Sequence, residues 1–237
     1  MSRRGVILAG GKGTRLRPYT VVLPKPLMPI GEFPILEVIV RQLVRFGFDH
    51  ITMAVNHQAE IIKAFFQDGR RWGIRIDYSL ENSPLGTMGP LRLIDDLPEN
   101  FLVMNGDILT DLDFAAFHDE HDQSGSLFSI SSMQRRHRVD YGVLDIDSGG
   151  RLTGFREKPE VDYQVSMGIY MLNIEALQYI PPATSFGFDN LMLKLLELNR
   201  QIDVRPFSGY WLDIGRPDDY ARAIDEFESM RSRFLSD

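Results

Sequence analysis

The sequence contains no cysteine, so it can form neither a disulfide nor a thiolate metal site, and a reducing compartment is permitted. It also lacks any apolar stretch of the roughly 18 residues that a bilayer crossing needs. Met1 to Arg4 run straight into a short apolar segment with no secretory leader, which makes a cytoplasmic location the expectation. Long basic runs are absent and the net charge is −7, which argues against nucleic acid or an anionic membrane as the main partner. It does not argue against a nucleotide, because a local Arg and Lys cluster can bind phosphate inside an acidic protein. Linkers, low-complexity tracts and internal repeats are missing too. What remains is an ordinary globular composition, 43% apolar and 25% charged over 237 residues, which suits one large α/β domain.

Residues 5–9 form an apolar run too short for a helix and ending in glycines, which predicts a buried strand. Residues 35–46 carry helical spacing: Ile35, Ile39 and Leu43 share a stripe, Leu36, Val40 and Val44 lie beside it, and Glu37, Arg41 and Arg45 fill the other face. Gly47 is the expected stop. Strands are expected at 51–55, 74–79 and 101–104, with a helix at 61–66. Strands alternating with helices predict a Rossmann-like, doubly wound, mostly parallel sheet. After about residue 135 the pattern changes. Residues 142–146 and 151–155 flank Asp147-Ser148-Gly149-Gly150 and read as a hairpin. A strand at 166–172 follows, then a helix at 191–198 with Asp189 as its expected N-cap. The amphipathic stretch 217–234 reads as a helix with proline at its start. One domain over 1–237 is expected, with a second half, from about 136, that adds a small lobe.

The strongest chemical signal is Leu8-Ala9-Gly10-Gly11-Lys12-Gly13-Thr14-Arg15-Leu16-Arg17-Pro18, directly after the first strand. Three glycines in four positions remove Cβ atoms, so backbone N–H groups can approach an anion closely. The dinucleotide fingerprint is absent, since Leu16 stands where its third glycine belongs, and the P-loop is absent because Gly13 follows Lys12. Taken alone, the turn is equally compatible with a solvated loop.

With its companion segments the loop resembles the sugar-phosphate nucleotidyltransferase family, whose signature is G-G-x-G-T-R-L. The resemblance continues through Pro24-Lys25-Pro26-Leu27, Asn105-Gly106-Asp107, Tyr141-Gly142, Glu157-Lys158-Pro159, Gly168-Ile169-Tyr170 and Gly209-Tyr210-Trp211-Leu212-Asp213-Ile214-Gly215, in family order and over nearly the whole chain. Pro84-Leu85-Gly86-Thr87-Met88-Gly89-Pro90 and the segment 211–217 resemble most the mannose-1-phosphate guanylyltransferases and their heptose-phosphate relatives. Many such enzymes carry a C-terminal left-handed β-helix, to which the resemblance does not extend here. The implied reaction joins an NTP to a sugar 1-phosphate and releases pyrophosphate. The implied halves are a nucleotide-binding part, about 1–135, and a sugar-phosphate-binding part, about 136–237.

The resemblance also implies roles. Leu8, Ala9, Gly10, Gly11, Gly13, Thr14 and Arg15 would hold the nucleotide, with Arg15 over the β- and γ-phosphates, where a guanidinium fork suits the geometry. Lys25, between two prolines, would lie near the α-phosphate. Asp107 and Asp213 would hold Mg²⁺, which takes one or two carboxylates plus phosphates and waters. Glu157 would accept from sugar hydroxyls and Lys158 would neutralise the sugar phosphate, with Gly142, Ser166 and Gly168 beside them; Ser166 stands where an asparagine is common. Glu81 aligns with a base-reading position, and Gly86 and Thr87 would sit beside the base at a helix start. A carboxylate can accept from guanine N1–H and N2–H₂ together, which favours GTP. Some uridylyltransferase relatives also carry Glu there, so dTTP, UTP and CTP stay open, as do mannose, heptose, glucose and cyclitol phosphates. A homo-oligomer is compatible with the sequence.

Two other readings exist. Asp111-x-Asp113 matches the metal motif of many glycosyltransferases, but it precedes a helical stretch where Asp113 is more simply an N-cap. A non-catalytic relative that binds a sugar nucleotide would need the same fold without Arg15, Lys25, Asp107 or Asp213, all of which are present. His50, His57, His118, His121 and His137 show no ligand spacing and read as surface or structural.

Overall fold

The apolar run after Arg4 folds as β1 (Arg3–Leu8) within a seven-stranded sheet of the computed structural model, which describes residues 2–56 and 58–235. Two short strands, β2 (Pro29–Ile30) and β3 (Phe33–Pro34), lead into helix α1 (Ile35–Arg45). Then come β4 (Phe48–Val55), α2 (Ala59–Phe66), β5 (Arg75–Leu80), β6 (Asn100–Asn105), β7 (Ile108–Thr110) and α3 (Phe114–Ser124). The second half supplies β8 (Phe128–Arg138), β9 (Val143–Ile146), β10 (Leu152–Arg156), β11 (Glu160–Asn173), α4 (Phe188–Glu197), β12 (Ile202–Phe207), β13 (Trp211–Asp213) and α5 (Pro217–Phe234).

The sheet order is β12-β8-β11-β6-β1-β4-β5. Every neighbouring pair is parallel except those made by β11, which runs against both β6 and β8. The expected doubly wound, mostly parallel sheet is therefore present. From β1 the chain winds outward through β4 and β5, then returns to the other side of β1 as β6. The ends of β1 and β6 thus border the point where strand order reverses, the place where open α/β sheets form a crevice.

Alternation across the pleat divides the core. Val6 packs into one apolar cluster with Val103, Phe128 and α4, and Ile7 into another with α1 and α5. Helix α1 buries Ile35, Leu36, Val38, Ile39, Val40 and Leu43 completely. Its polar face differs from expectation: Glu37 is 1% exposed, covered by Arg41 at 2.7 Å and Arg71 at 3.5 Å. A carboxylate that deep is tolerable because it is paired. Helix α5 has the expected limits, with Pro217 first, Asp218 and Asp219 in the first turn and Arg231 and Arg233 in the last, in line with the helix dipole. Tyr220 ties it to the body through Pro29 O at 2.7 Å. No helix among the described residues is long and apolar enough to cross a membrane.

Three local expectations change or sharpen. Helix α4 begins at Phe188, so its N-cap is Gly187 rather than Asp189; the Gly187 N–H donates to the Asn190 side chain at 2.8 Å. Asp113 does cap α3, accepting from Ala116 N–H at 2.8 Å, and Asp111 accepts from Tyr210 N–H at 2.6 Å while pairing with Arg233. Both aspartates of the D-x-D pattern are thus engaged in structural bonds. Finally, β8 and the outer half of β11 were not expected as strands. They pair from Glu160↔Arg138 inward, as an arm laced by Arg136 with Asp162 at 2.9 Å and Glu160 at 3.5 Å.

Where the arm meets the body, the β8–β11 register shifts between Ser166 and Tyr170. Gly168 lies there at φ 73°, and a Cβ on it would stand 2.6 Å from Asn105 Nδ2. Gly168→Ala is expected to cost about 1–3 kcal/mol of stability, because it combines left-handed strain with a clash. Chemical denaturation checks this, and an unchanged midpoint would contradict the strain.

Candidate active site

The glycine loop leaves β1 and is stitched to both neighbouring strands. Ala9 N–H donates to Ala54 O at 2.8 Å, and Gly106 N–H donates to Leu8 O at 3.0 Å. Gly10 is packed so closely that a Cβ would lie 2.9 Å from Glu81 Oε1 and 3.2 Å from Asn56 Cβ. After Gly13, residues Thr14–Leu16 form a single tight helical turn that buries Leu16 and leaves Thr14 and Arg15 exposed. Burial of Leu16 anchors the turn, so Arg15 is presented from a fixed base.

Arg15 reaches toward the second half of the chain. A Cβ on Gly215 would lie 3.8 Å from both of its terminal nitrogens and 3.6 Å from Asp213 Oδ2. Asp213 ends β13, which pairs antiparallel with β7 so that Asp213 faces Ile108. Ile214 N–H donates to Asp107 O at 3.0 Å. The two carboxylates therefore leave adjacent backbone segments. Lys25 sits in a tight turn after Pro24, and its ammonium donates to Asp107 Oδ2. Asp107 Oδ1 is buried and has no hydrogen-bond partner among the described residues. Removal from solvent, and next the charge of Asp107, push the Asp213 carboxyl up; Lys25 and Arg15 pull the other way. Two cations and two carboxylates, from four separated segments, share one small volume.

Beside them opens a cavity of about 410 Å³. Leu8, Ala9, Gly10, Gly11 and Lys12 line one part of it, Lys25, Pro26, Asn105, Gly106 and Asp107 another, and Asn56, Glu81, Pro84, Gly86 and Thr87 the rest. Glu81 is 9% exposed; burial raises its pKa and the Leu85 N–H, donating to Oε2 at 3.0 Å, acts against that. The same bond fixes the carboxylate, leaving Oε1 over Gly10. The 85–89 turn clasps the start of α4: Leu85 O accepts from Phe186 N–H at 2.9 Å, and Thr87 Oγ1 accepts from Phe188 N–H at 2.7 Å. Thr87 is thus at a helix start, that of α4.

The residues expected at the sugar phosphate lie outside this lining. Gly142 and Glu157 face one another, a Cβ on Gly142 being 3.2 Å from Glu157 Oε2. Glu157 and Lys158 are exposed just past β10, with Lys158 at φ 44°. Ser166 Oγ donates to Tyr170 Oη and accepts from Gly168 N–H, each at 3.2 Å. Gly168 in turn backs Asn105, which does line the cavity. Asn56 was missed from the sequence. Its position one residue past β4, next to the end of β1, was the available signal. Of the histidines, His50 pairs with Asp77 at 2.7 Å, His118 and His121 are buried, and His137 is exposed on β8; His57 lies outside the described residues.

This arrangement can bind a polyanion at a glycine loop. The family described as nucleotidyl transferase matches residues 4–230. A UTP–glucose-1-phosphate uridylyltransferase of Synechocystis is 34% identical over 93% of this chain, and a mannose-1-phosphate guanyltransferase of Saccharomyces cerevisiae is 31% identical over 92%. The chain spans 62% of the length of each. The crystal structure of HddC from Yersinia pseudotuberculosis superposes with a TM-score of 0.74 at 28% identity, covering 95% of this chain and 99% of that one. Its complex with GMP-PN superposes at 0.70. With the family model spanning residues 4–230 and relatives 34% and 31% identical over nine-tenths of its length, the chain belongs to the nucleotidyl transferase family.

Proposed function

We propose that this chain transfers a nucleotidyl group from an NTP, preferably GTP, to a mannose- or heptose-type sugar 1-phosphate, giving an NDP-sugar and pyrophosphate. One observation carries the reading: Arg15, Lys25, Asp107 and Asp213 converge beside a cavity that the glycine loop and Glu81 both line. A phosphate oxygen of the sugar attacks the α-phosphorus in line, and pyrophosphate leaves. Little covalent work falls to the protein, so positioning and charge neutralisation dominate. The glycine loop and Arg15 hold the β- and γ-phosphates against the departing charge. Lys25 offsets charge at the α-phosphate, which has to draw the ammonium from Asp107.

Asp107 and Asp213 fit Mg²⁺. Asp107 Oδ1 is a buried acceptor without a donor, and mutual repulsion of the pair favours a shared cation. When bound, Mg²⁺ would supply positive charge to the phosphates. On the sugar side, Glu157 accepts from ring hydroxyls and Lys158 pairs with the phosphate, with Gly142 beside Glu157, while Ser166 and Gly168 lie six or more strand residues inward along β11. Glu157 and Lys158 both precede Pro159 at the outer end of the β8–β11 arm, so the sugar would be held between arm and cavity.

The base preference rests on Glu81. Each carboxylate oxygen has two lone pairs, so the bond from Leu85 N–H leaves Oε2 able to accept again beside Oε1. Guanine offers two adjacent donors and uracil one. The GMP-PN complex of HddC supports the guanine reading. UTP is the second reading, favoured by the 34% identity to the Synechocystis uridylyltransferase. Pyrophosphate release across all NTPs and a panel of sugar 1-phosphates decides between them. No release with any pair would instead favour a non-catalytic sugar-nucleotide-binding protein.

Three outcomes are expected. Arg15→Ala lowers kcat/KM by about 10²-fold or more with the fold intact, since the side chain is exposed; near-normal turnover refutes its role. Asp107→Asn and Asp213→Asn nearly abolish turnover, and EDTA does the same to the wild type until Mg²⁺ is restored. Full turnover without any divalent ion would sink the metal assignment. Lastly, wild type prefers GTP by roughly ten- to a hundred-fold, the worth of a bidentate base contact of about 1–3 kcal/mol, and Glu81→Gln erodes that ratio. Side-by-side kinetics test this, and a wild type that prefers UTP overturns it.

A further inference from the structure

We infer that His118, Asp119 and Asp122 on α3 form a second metal site, apart from the cavity lined by the glycine loop and suited to a Zn²⁺-like ion. One ligand atom from each lies within 4.8 Å of the others. His118 Nδ1 is 3.3 Å from Asp122 Oδ2 and 3.7 Å from Asp119 Oδ1. Metal–ligand bonds of about 2.0–2.2 Å put neighbouring tetrahedral ligands about 3.3–3.6 Å apart, so the spacing already suits a shared ion.

The imidazole is the independent observation. His118 is 8% exposed, wedged edge-on against Phe48 with ring centroids 6.0 Å apart. Its Nδ1 is buried and makes no hydrogen bond among the described residues, with the two carboxylates only at ion-pair distance. A buried ring nitrogen without a hydrogen bond costs stability unless something else meets it. The cluster borders a cavity of about 390 Å³ lined by Arg3 and the three residues themselves.

Asp122 is held from behind: Asn100 Nδ2 donates to its Oδ1 at 2.9 Å, which leaves Oδ2 facing His118. Asp119 is fixed by Arg3, which pairs at 2.6 Å with Oδ1, the same oxygen that faces His118. Outer partners of this kind orient ligating carboxylates. The donor set of one imidazole and two carboxylates selects a borderline ion over Mg²⁺, which prefers oxygen. Water would complete the coordination. An ion here would cross-link α3 to β1 and β6 through Arg3 and Asn100, so its effect is on stability and not on turnover.

The test uses the untagged full chain in excess Mg²⁺, titrated with Zn²⁺ by calorimetry and with Co²⁺ by visible absorption. Expected are one Zn²⁺ per chain, a tetrahedral Co²⁺ band, and a rise in Tm with Zn²⁺. Asp122→Asn and His118→Gln should each weaken Zn²⁺ at least about tenfold. The doubly substituted Asp107→Asn, Asp213→Asn protein should keep that site in full. Should His118→Gln fold poorly, Asp122→Asn decides alone, because Asp122 is exposed. The inference is overturned if wild type binds no Zn²⁺, if Asp122→Asn binds it equally well, or if only the cavity variants lose it.

Discussion

The register of β1 against β6 is the constraint on which the site depends. Gly106 N–H reaches Leu8 O just where both strands end, so the glycine loop and the Asn105-Gly106-Asp107 segment are delivered to the same place. A slip of one residue would reverse every side chain of β1 across the pleat, sending Val6 and Ile7 into the wrong clusters. Two separate apolar cores thus enforce a placement whose value lies outside them. The second half joins the same arrangement by a smaller device. Pairing of β13 with β7 carries Asp213 to Asp107, and the backbone bond from Ile214 to Asp107 locks the two together.

Electrostatics then follow from topology. Two neighbouring carboxylates would repel, and the raised pKa of Asp213 reflects that in part. Lys25 and Arg15 are drawn in as counter-charges, from a turn stiffened by prolines and a turn anchored by Leu16. In the free protein Lys25 already satisfies one oxygen of Asp107. Any polyanion bound here would meet cations held in place, with rearrangement limited to exchange of partners, which keeps the reorganisation cost low.

Much of this was legible in the sequence because the determinants are local. A short apolar run ending in glycines gives a strand and a loop; the 3.6-residue stripe of α1 and the proline start of α5 give helices with the right limits. The β9–β10 turn was legible as well, since Asp147 accepts from Gly149 and Arg151 N–H at 2.9 Å each, in the manner of turn aspartates. What escaped was set by distant partners. The outer parts of β8 and β11 carry charges on both faces, so no apolar periodicity announces them; their order comes from each other. Glu37 looked solvated because Arg71, 34 residues away, is invisible to local spacing. Asn56 needed the knowledge that β4 lies beside β1. The cluster of Arg15, Lys25, Asp107 and Asp213 was reached through the family signature, since no local pattern ties Lys25 to Asp107 across 82 positions.

Strand β11 belongs to two mechanical regimes. Inward of Gly168 it is buried between β6 and β8 and opens only with the whole protein. Outward, from Glu160 to Gln164, it is exposed and retained by ladder bonds, surface ion pairs and the bond that Gln164 donates to Ser132 Oγ. Amide protons along this one strand will therefore exchange with solvent at rates that break sharply at the bulge. Glu157 and Lys158 ride at the labile end. Any ligand they grip must supply the free energy of quieting the arm, whereas the cavity residues are held still by the core.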